Sequence, residues 1–420
     1  MSYELKPQTE AGEKFVEAAE GVITKLRSRA SISDQSNSID EDNFFDMRIA
    51  GVSTAFLPQT WGGLELVSIH DWMVGMSRLG RGDGSAAIAM NMHLVVSRNM
   101  VAIWNAACAS GNDEISARME KQFAQIVSGE MYMCATSTEP GTDNLHPFTE
   151  VTEVDGGWRI NGKKIFVTGS PVASHVAMNL RMRGDKKSIG VDGGDSLGSI
   201  VLPLETEGVK PQDDWKALGM RGSGSQSLVF ENVFVPKSMV RPTGPWGQWS
   251  TNILMNRNLA NLPLVAVFLG ISEYAHELAI EAASGNPHEK VGKPPNKERP
   301  GIQHMIGEME ISLSTMRSMV GQMGQIMDEF LKEYHDQEIP LERAHELLKD
   351  HQSMKWVVNR NAIEIVNRAM DIVGGSGFMD RNPLSRLYRD VRAGPLMQPY
   401  SPTEAREYIG KVMLGVYPVA

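Results

Sequence analysis

Near the start of the chain, apolar residues recur with a helical period. Phe15, Ala19, Val22, Ile23 and Leu26 fall at i, i+4, i+7, i+8 and i+11, a single stripe along one helix. Ser33 to Asn43 is largely polar and reads as a connection; Pro58 to Gly63 (PQTWGG) predicts a turn. Helical patterning returns over His70–Leu79 and Ser85–Ala107. From about residue 129 the period changes. Val151–Val154 and Trp158–Ile160 flank Asp155-Gly156-Gly157, which is hairpin chemistry, and Asn161-Gly162 predicts the next turn. Ile165–Thr168, Ile200–Leu204 and Ser227–Phe230 read as further strands, and Arg183–Gly198 as a loop rich in Gly, Asp and Lys. From about residue 250 helix resumes. Ile302, Ile306, Met309, Leu313, Met316, Val320, Met323 and Met327 make a long stripe, and glycine and proline punctuate the chain at Gly285–Gly301 and Gly374–Gly377.

The order predicts an α+β protein of three domains: an N-terminal all-α domain (1–128), a middle antiparallel β domain, barrel or sandwich (129–240), and a C-terminal four-helix-bundle domain (245–420). At 420 residues the chain is long enough for such a division. The formal charge of −10, with Lys and Arg scattered, argues against nucleic acid as a partner. Two cysteines, Cys108 and Cys134, make neither a disulfide framework nor a metal site, so a reducing compartment is expected. The start, Met1 to Lys14, is too polar for a signal peptide. The longest apolar stretch, Leu259–Ile271, is short for a membrane span and is interrupted by Asn261 and Pro263. A cytoplasmic protein without membrane contact is the expectation.

Four stretches carry candidate chemistry, and each has an ordinary structural reading as well. In MCATSTEPGTD (Met133–Asp143), Thr136, Ser137 and Thr138 can donate to carbonyl oxygens of a planar ligand; the same residues also suit a plain Ser/Thr loop with a Pro-Gly turn. In NGKKIFVTG (Asn161–Gly169), strand alternation puts Phe166 and Thr168 on one face, where one would pack on a ring system and the other reach its edge. In WKALGMRGSGSQSLVFENVFVP (Trp215–Pro236), Gly222-Ser223-Gly224 lacks the G-x-G-x-x-G spacing and precedes a strand, which rejects a Rossmann-type dinucleotide site. In DIVGGSGFMDRNPLSRLYRD (Asp371–Asp390), the paired glycines would let backbone approach a pyrophosphate, or simply cap a helix.

In this order and spacing the four stretches resemble the acyl-CoA dehydrogenase superfamily over nearly the whole chain. TSTEPGTD looks like that family's TEP-x-x-x-SD loop, NGKKIFVTG like its NG-x-K-x-(W/F)-x-T strand, LGMRGSGSQSLVFENVFVP like its third signature and VGGSGF…RLYRD like its fourth. The resemblance implies an acyl-CoA dehydrogenase-like fold and a flavin, FAD with FMN as the alternative, between the β domain and the C-terminal helices. By position, Thr136 and Ser137 would lie along the flavin, Thr138 would bind its pyrimidine edge, Phe166 would pack on the ring and Thr168 would sit near N5. Gly374 and Gly375 would contact the ADP part of a neighbouring subunit's cofactor. A homotetramer is implied, and the Met-rich stripe from Ile302 to Met327 reads as surplus apolar surface in support.

The departures bear on the reaction. A dehydrogenase of this family removes an α-proton with a carboxylate, usually the Glu of a Y-E-G-T motif after R-D. Counting from Asp390 puts Gln398 there; aligning Tyr400-Ser401-Pro402-Thr403 puts Ser401 there. Ser401 to Glu404 also reads as a capping box. The alternative base position, on the first long C-terminal helix, falls near Ala260. Asn258 and Asn261 stand where relatives carry an Asp and an Arg for coenzyme A, with Arg257 adjacent. The family's R-x-x-F-G is missing from AASGNPHEKVGKP, although Gln303 matches a glutamine that follows it. His93 lies in a region where, in related flavin monooxygenases, a histidine faces the flavin; a core histidine is the competing reading. Three functions are therefore carried forward. The first is hydride transfer to flavin N5 from an acyl-CoA or related small molecule, with electron-transfer flavoprotein as partner. The second is a two-component monooxygenase fed by a flavin reductase. The third is an inactive binding or structural homologue.

Overall fold

A computed structural model describes residues 3–184, 194–285, 292 and 294–419. Most of the loop expected at Arg183–Gly198 and part of AASGNPHEKVGKP lie outside them. The helices of the first part are α1 (Glu10–Ser36), α2 (Glu41–Ile49), α3 (Ile69–Gly82), α4 (Gly84–Ser110) and α5 (Asp113–Ser128). The Thr9 side chain caps α1 at the Gly12 N–H (3.0 Å), while its own hydroxyl donates to Asp71 of α3 (2.6 Å). The predicted stripe of α1 is buried, with Ile23 half-buried. The polar connection expected from Ser33 is mostly helix. Ser33 and Asp34 are buried there because Asp34 pairs with Arg389 (2.7 Å), a tertiary partner that periodicity does not reveal. The helix stops at Asn37, in the left-handed region at φ 53°.

Eight strands follow: β1 (Met133–Thr136), β2 (Glu150–Val154), β3 (Gly157–Val167), β4 (His175–Met182), β5 (Ser196–Pro203), β6 (Val209–Pro211), β7 (Gln226–Pro236) and β8 (Arg241–Pro245). They form one sheet in the order β6-β7-β3-β2-β4-β5-β8, with β1 added on β4. The sheet is mixed: β4 runs parallel to both β1 and β2. Neither pair is joined by a tight hairpin, so nothing in the local turn chemistry announces the parallel pairing. The turn expected at Asn161-Gly162 is instead a bulge inside β3. Gly162 has φ +149°, and a Cβ there would lie 2.5 Å from Thr149 Cα, so the close strand approach requires glycine.

The last part holds α6 (Thr251–Ser284), α7 (Pro300–Glu333), α8 (Leu341–Val373), α9 (Pro383–Asp390) and α10 (Pro402–Met413). One hydrophobic core spans both helical parts, joining Phe15, Trp72 and Met73 to Leu262, Phe268, Met316, Met327 and Ile365. The sheet has its own, around Val151, Ile160, Leu180 and Phe230. The Met-rich stripe of α7 is buried in the shared helical core. It is not surplus surface, and the support it lent to a tetramer falls away. Helices α3 and α6 cross backbone to backbone: a Cβ at Gly80 would lie 2.4 Å from Val267 O, and one at Gly270 2.0 Å from Ser77 O. Gly84–Ser110 and Thr251–Ser284 are long and apolar enough to cross a membrane by composition, but most of each apolar window is buried within the fold, as in a core helix.

Candidate functional site

Strand β1 ends in the Ser/Thr loop, and the loop is stitched to β3. Thr136 Oγ1 donates to Ile165 O (2.9 Å), the Thr138 N–H donates to Thr136 Oγ1 (3.2 Å), and the Ile165 N–H donates to Thr138 O (3.0 Å). Thr136 is thereby a structural tie. Ser137 and Thr138 are half-buried, and their hydroxyls make no hydrogen bond among the described residues.

Beneath this loop lies an ion pair that the motif reading missed. Glu139 is buried and accepts from the Phe148 N–H (2.6 Å), the Thr149 N–H (3.0 Å) and Lys164 Nζ (2.6 Å), which also donates to Asn179 Oδ1 (2.8 Å). Lys164 is fully buried, and desolvation pulls its ammonium down to about 8 against the opposing pull of Glu139. A signal was present: alternation along β3 puts Lys164 on the inward face with Trp158 and Ile160.

At the end of β3 alternation breaks down. Phe166 takes φ +54°, the Thr168 N–H closes on Phe166 O (2.9 Å), and the two side chains part company. The Phe166 ring is 54% exposed, edge-on to Trp215 at 6.0 Å between centroids. Thr168 is buried, its hydroxyl 2.9 Å from Ser225 Oγ, which is 2.7 Å from Ser223 Oγ. The Gly222-Ser223-Gly224 stretch thus backs Thr168 with a chain of hydroxyls. Phe166, at a positive φ with its ring exposed, offers an aromatic face that a planar ring system could cover.

The remaining candidates lie elsewhere. Gly374 (φ +69°) and Gly375 are exposed at the end of α8, with open space beside both. Gln303 is exposed on the first turn of α7, its amide on Lys297 O (2.9 Å). His93 is fully buried, stacked on Tyr132 at 4.7 Å. Its Nε2 lies 3.1 Å from Ser53 O, and its Nδ1 accepts the Met133 N–H at 3.2 Å. With both ring nitrogens engaged by backbone, and its pKa lowered to about 4 by burial, His93 is placed as a neutral core histidine. Of the two readings of His93, this geometry matches the core histidine.

The 397–401 loop holds no free base. Gln398 is exposed and its Oε1 accepts from Asn144 of the middle domain (3.2 Å). Glu404 accepts the Ser401 N–H (2.9 Å) in the capping box that opens α10. Neither the Gln398 nor the Ser401 side chain is a carboxylate, and Glu404 is committed to the cap. Lys355 of α8, missed by sequence, donates to Met397 O and to Tyr400 O (2.7 Å) and so ties the loop down; burial pulls its ammonium to about 7. Arg257 of α6 lies over Trp249 (4.2 Å to the ring centroid) and beside Tyr400 (6.0 Å). Asn258 meets His351 of α8 at 3.0 Å.

Two family models match the chain: acyl-CoA dehydrogenase, middle domain, over residues 133–233, and acyl-CoA dehydrogenase, C-terminal domain, over 253–398. An L-evernosamine nitrososynthase from a Micromonospora species is 28% identical over 98% of this chain and 92% of its own. A putative acyl-CoA dehydrogenase of Bacillus subtilis is 26% identical over 92% and 93%. The solved structure of KijD3 in complex with FMN and dTDP-3-amino-2,3,6-trideoxy-4-keto-3-methyl-D-glucose aligns with a TM-score of 0.86 at 27% identity, covering 98% of this chain and 96% of that one. The matched models together span more than half of the chain, including the Thr138–Thr168 cluster and the loop to Gln398. The chain belongs to the acyl-CoA dehydrogenase superfamily of flavin-dependent oxidoreductases.

Proposed function

We propose that this protein is a flavin-dependent oxygenase that oxidises the amino group of a small polar molecule, using reduced flavin delivered by a separate reductase. The observation that carries this reading is the 397–401 loop, where Gln398 and Ser401 replace the carboxylate that α-proton removal needs and Glu404 is committed to a helix cap. Similarity to nitrososynthases across almost their whole length supports it. Reduced flavin, when bound, would supply the two electrons that molecular oxygen takes up. The balance is R–NH2 + O2 + 2e− + 2H+ → R–NHOH + H2O, one oxygen atom going to nitrogen and the other to water. The chain's own part is to hold and dry the ring: Ser137 and Thr138 offer hydroxyls to its polar edge, Phe166 covers a face, and Thr168 is fixed by Ser225. The missing R-x-x-F-G favours FMN over FAD, since that motif serves the distal phosphates.

The test supplies enzymatically reduced FMN, air and the amino sugar bound by KijD3, and follows product mass. Gain of one oxygen atom on nitrogen is expected, with no anaerobic bleaching of the oxidised flavin by butyryl-, octanoyl- or palmitoyl-CoA. Rapid bleaching by any of these would return the reading to dehydrogenation.

A further inference from the structure

Between Thr138 and β2 the chain runs through 139–149 with neither helix nor strand, and one buried ammonium holds that segment at three points. At its start the Glu139 carboxylate accepts from Lys164 Nζ (2.6 Å). At its end the same carboxylate accepts the N–H groups of Phe148 (2.6 Å) and Thr149 (3.0 Å). In its middle the link runs through β4: Lys164 Nζ donates to Asn179 Oδ1 (2.8 Å), and Asn179 Nδ2 donates to Asn144 O (3.1 Å). The Asn144 amide in turn donates to Gln398 Oε1 (3.2 Å). Among the described residues, the other long-range hydrogen bonds of 140–147 run to the turn at 246–247. There the Gly247 N–H donates to Leu145 O (2.9 Å) and the Trp246 indole N–H to Pro147 O (3.5 Å).

Stability alone does not account for the Glu139–Lys164 pair. Two desolvated charges are costly, and an apolar pair of similar size commonly serves a fold as well or better. What a buried ammonium adds is direction. Its charge-assisted hydrogen bonds are short and leave at fixed angles, so acceptors on separate elements are held relative to one another. The next residue, Ile165, holds Thr138 O through its N–H and accepts from Thr136 Oγ1, so adjacent residues of β3 set both the entry to the segment and its interior. We propose that Lys164 is the positioning residue of the 137–149 segment, fixing through Glu139 and Asn179 where Ser137, Thr138 and Asn144 stand. That Ser137 and Thr138 meet a flavin rests on the reading above; their placement by Lys164 does not.

Removing both charges at once separates position from stability. Lys164→Met with Glu139→Gln leaves no stranded carboxylate and keeps an oxygen for the Phe148 and Thr149 N–H groups. The full-length double variant should therefore melt cooperatively near the wild-type temperature. Its amide hydrogen exchange over 137–149 should quicken by about ten-fold or more, with the sheet strands and the helices exchanging as before. Oxidised FMN should bind about ten-fold more weakly by fluorescence titration, with its visible absorption bands shifted from those of the wild-type complex. Should the double variant fail to fold, Asn179→Leu carries the test. It leaves the ion pair in place and cuts the link to Asn144, so exchange should quicken at 142–146 while 148–149 stays protected. Unchanged exchange over 137–149 in the double variant, or a rise shared equally by the sheet, would overturn the proposal. So would wild-type exchange at 142–146 in Asn179→Leu. Quickened exchange with unaltered FMN affinity, or in a chain whose wild type binds no FMN, would uphold the placement and defeat only the flavin role of Ser137 and Thr138.

Discussion

Thr168 reaches its position through a partner that only the fold supplies, the Ser225–Ser223 hydroxyl chain. Thr168→Val removes one hydrogen-bonding group of about 1 kcal/mol, so flavin affinity should fall about five-fold, read by fluorescence titration. An unaltered affinity and absorption spectrum would take Thr168 out of the ring site. Lys164→Met is expected to do more. It strands the buried Glu139 carboxylate and should cost about 3–5 kcal/mol in urea unfolding. A loss below about 1 kcal/mol would mean that the pair contributes little. His93 bears on acid stability. Its pKa falls from 6.5 in the unfolded chain to about 4 in the fold, so between those values the unfolded chain binds more protons. Stability should thus be complete above pH 6.5 and drop by about 3 kcal/mol as pH falls toward 4, with His351, lowered to about 3, adding to the same limb. His93→Gln should flatten that limb; an equally steep acid limb in the variant would assign it to other groups.

At the scale of elements, what could be read from sequence depended on whether the deciding contact was local. The stripe of α1 and the hairpin at Asp155–Gly157 follow from local period and turn chemistry, and both formed where expected. Asn161-Gly162 has the same turn chemistry but became a bulge, because strand β7 continues to pair on either side of it. The flavin motifs were legible as motifs. Alternation along β3 marks Lys164 as inward, but its partner Glu139 and the carbonyls that Lys355 holds in the 397–401 loop were not legible, since each contact joins residues from separate elements. Lys355→Met should remove the donors to Met397 O and Tyr400 O and leave both carbonyls short of a partner. Amide hydrogen exchange over 394–404 should then quicken by at least about ten-fold while the sheet exchanges as before, a local opening worth about 1.4 kcal/mol or more. Uniform change across the chain would show that Lys355 supports the bundle at large and not this loop.

At the scale of the whole molecule, the first and last helical parts are one body. They share a core, and Asp34–Arg389 and Met220 N–Asp390 (2.6 Å) tie α1, the middle domain and α9 together. A chain beginning at residue 245 would expose the faces of α6 and α7 that α3 covers, and should show no cooperative thermal transition by circular dichroism. A sharp transition in that fragment would establish an independent C-terminal unit. The crossing at Gly80 and Gly270 adds a mechanical consequence. Where two helices touch through their main chains, no side chain lies between them, so any larger residue at Gly80 or Gly270 would have to push the helices apart. The segments 137–146 and 397–401 meet, among the described residues, through the Asn144–Gln398 amide contact at 3.2 Å, so the middle domain and the loop before α10 are joined there by side chains, not by main chain.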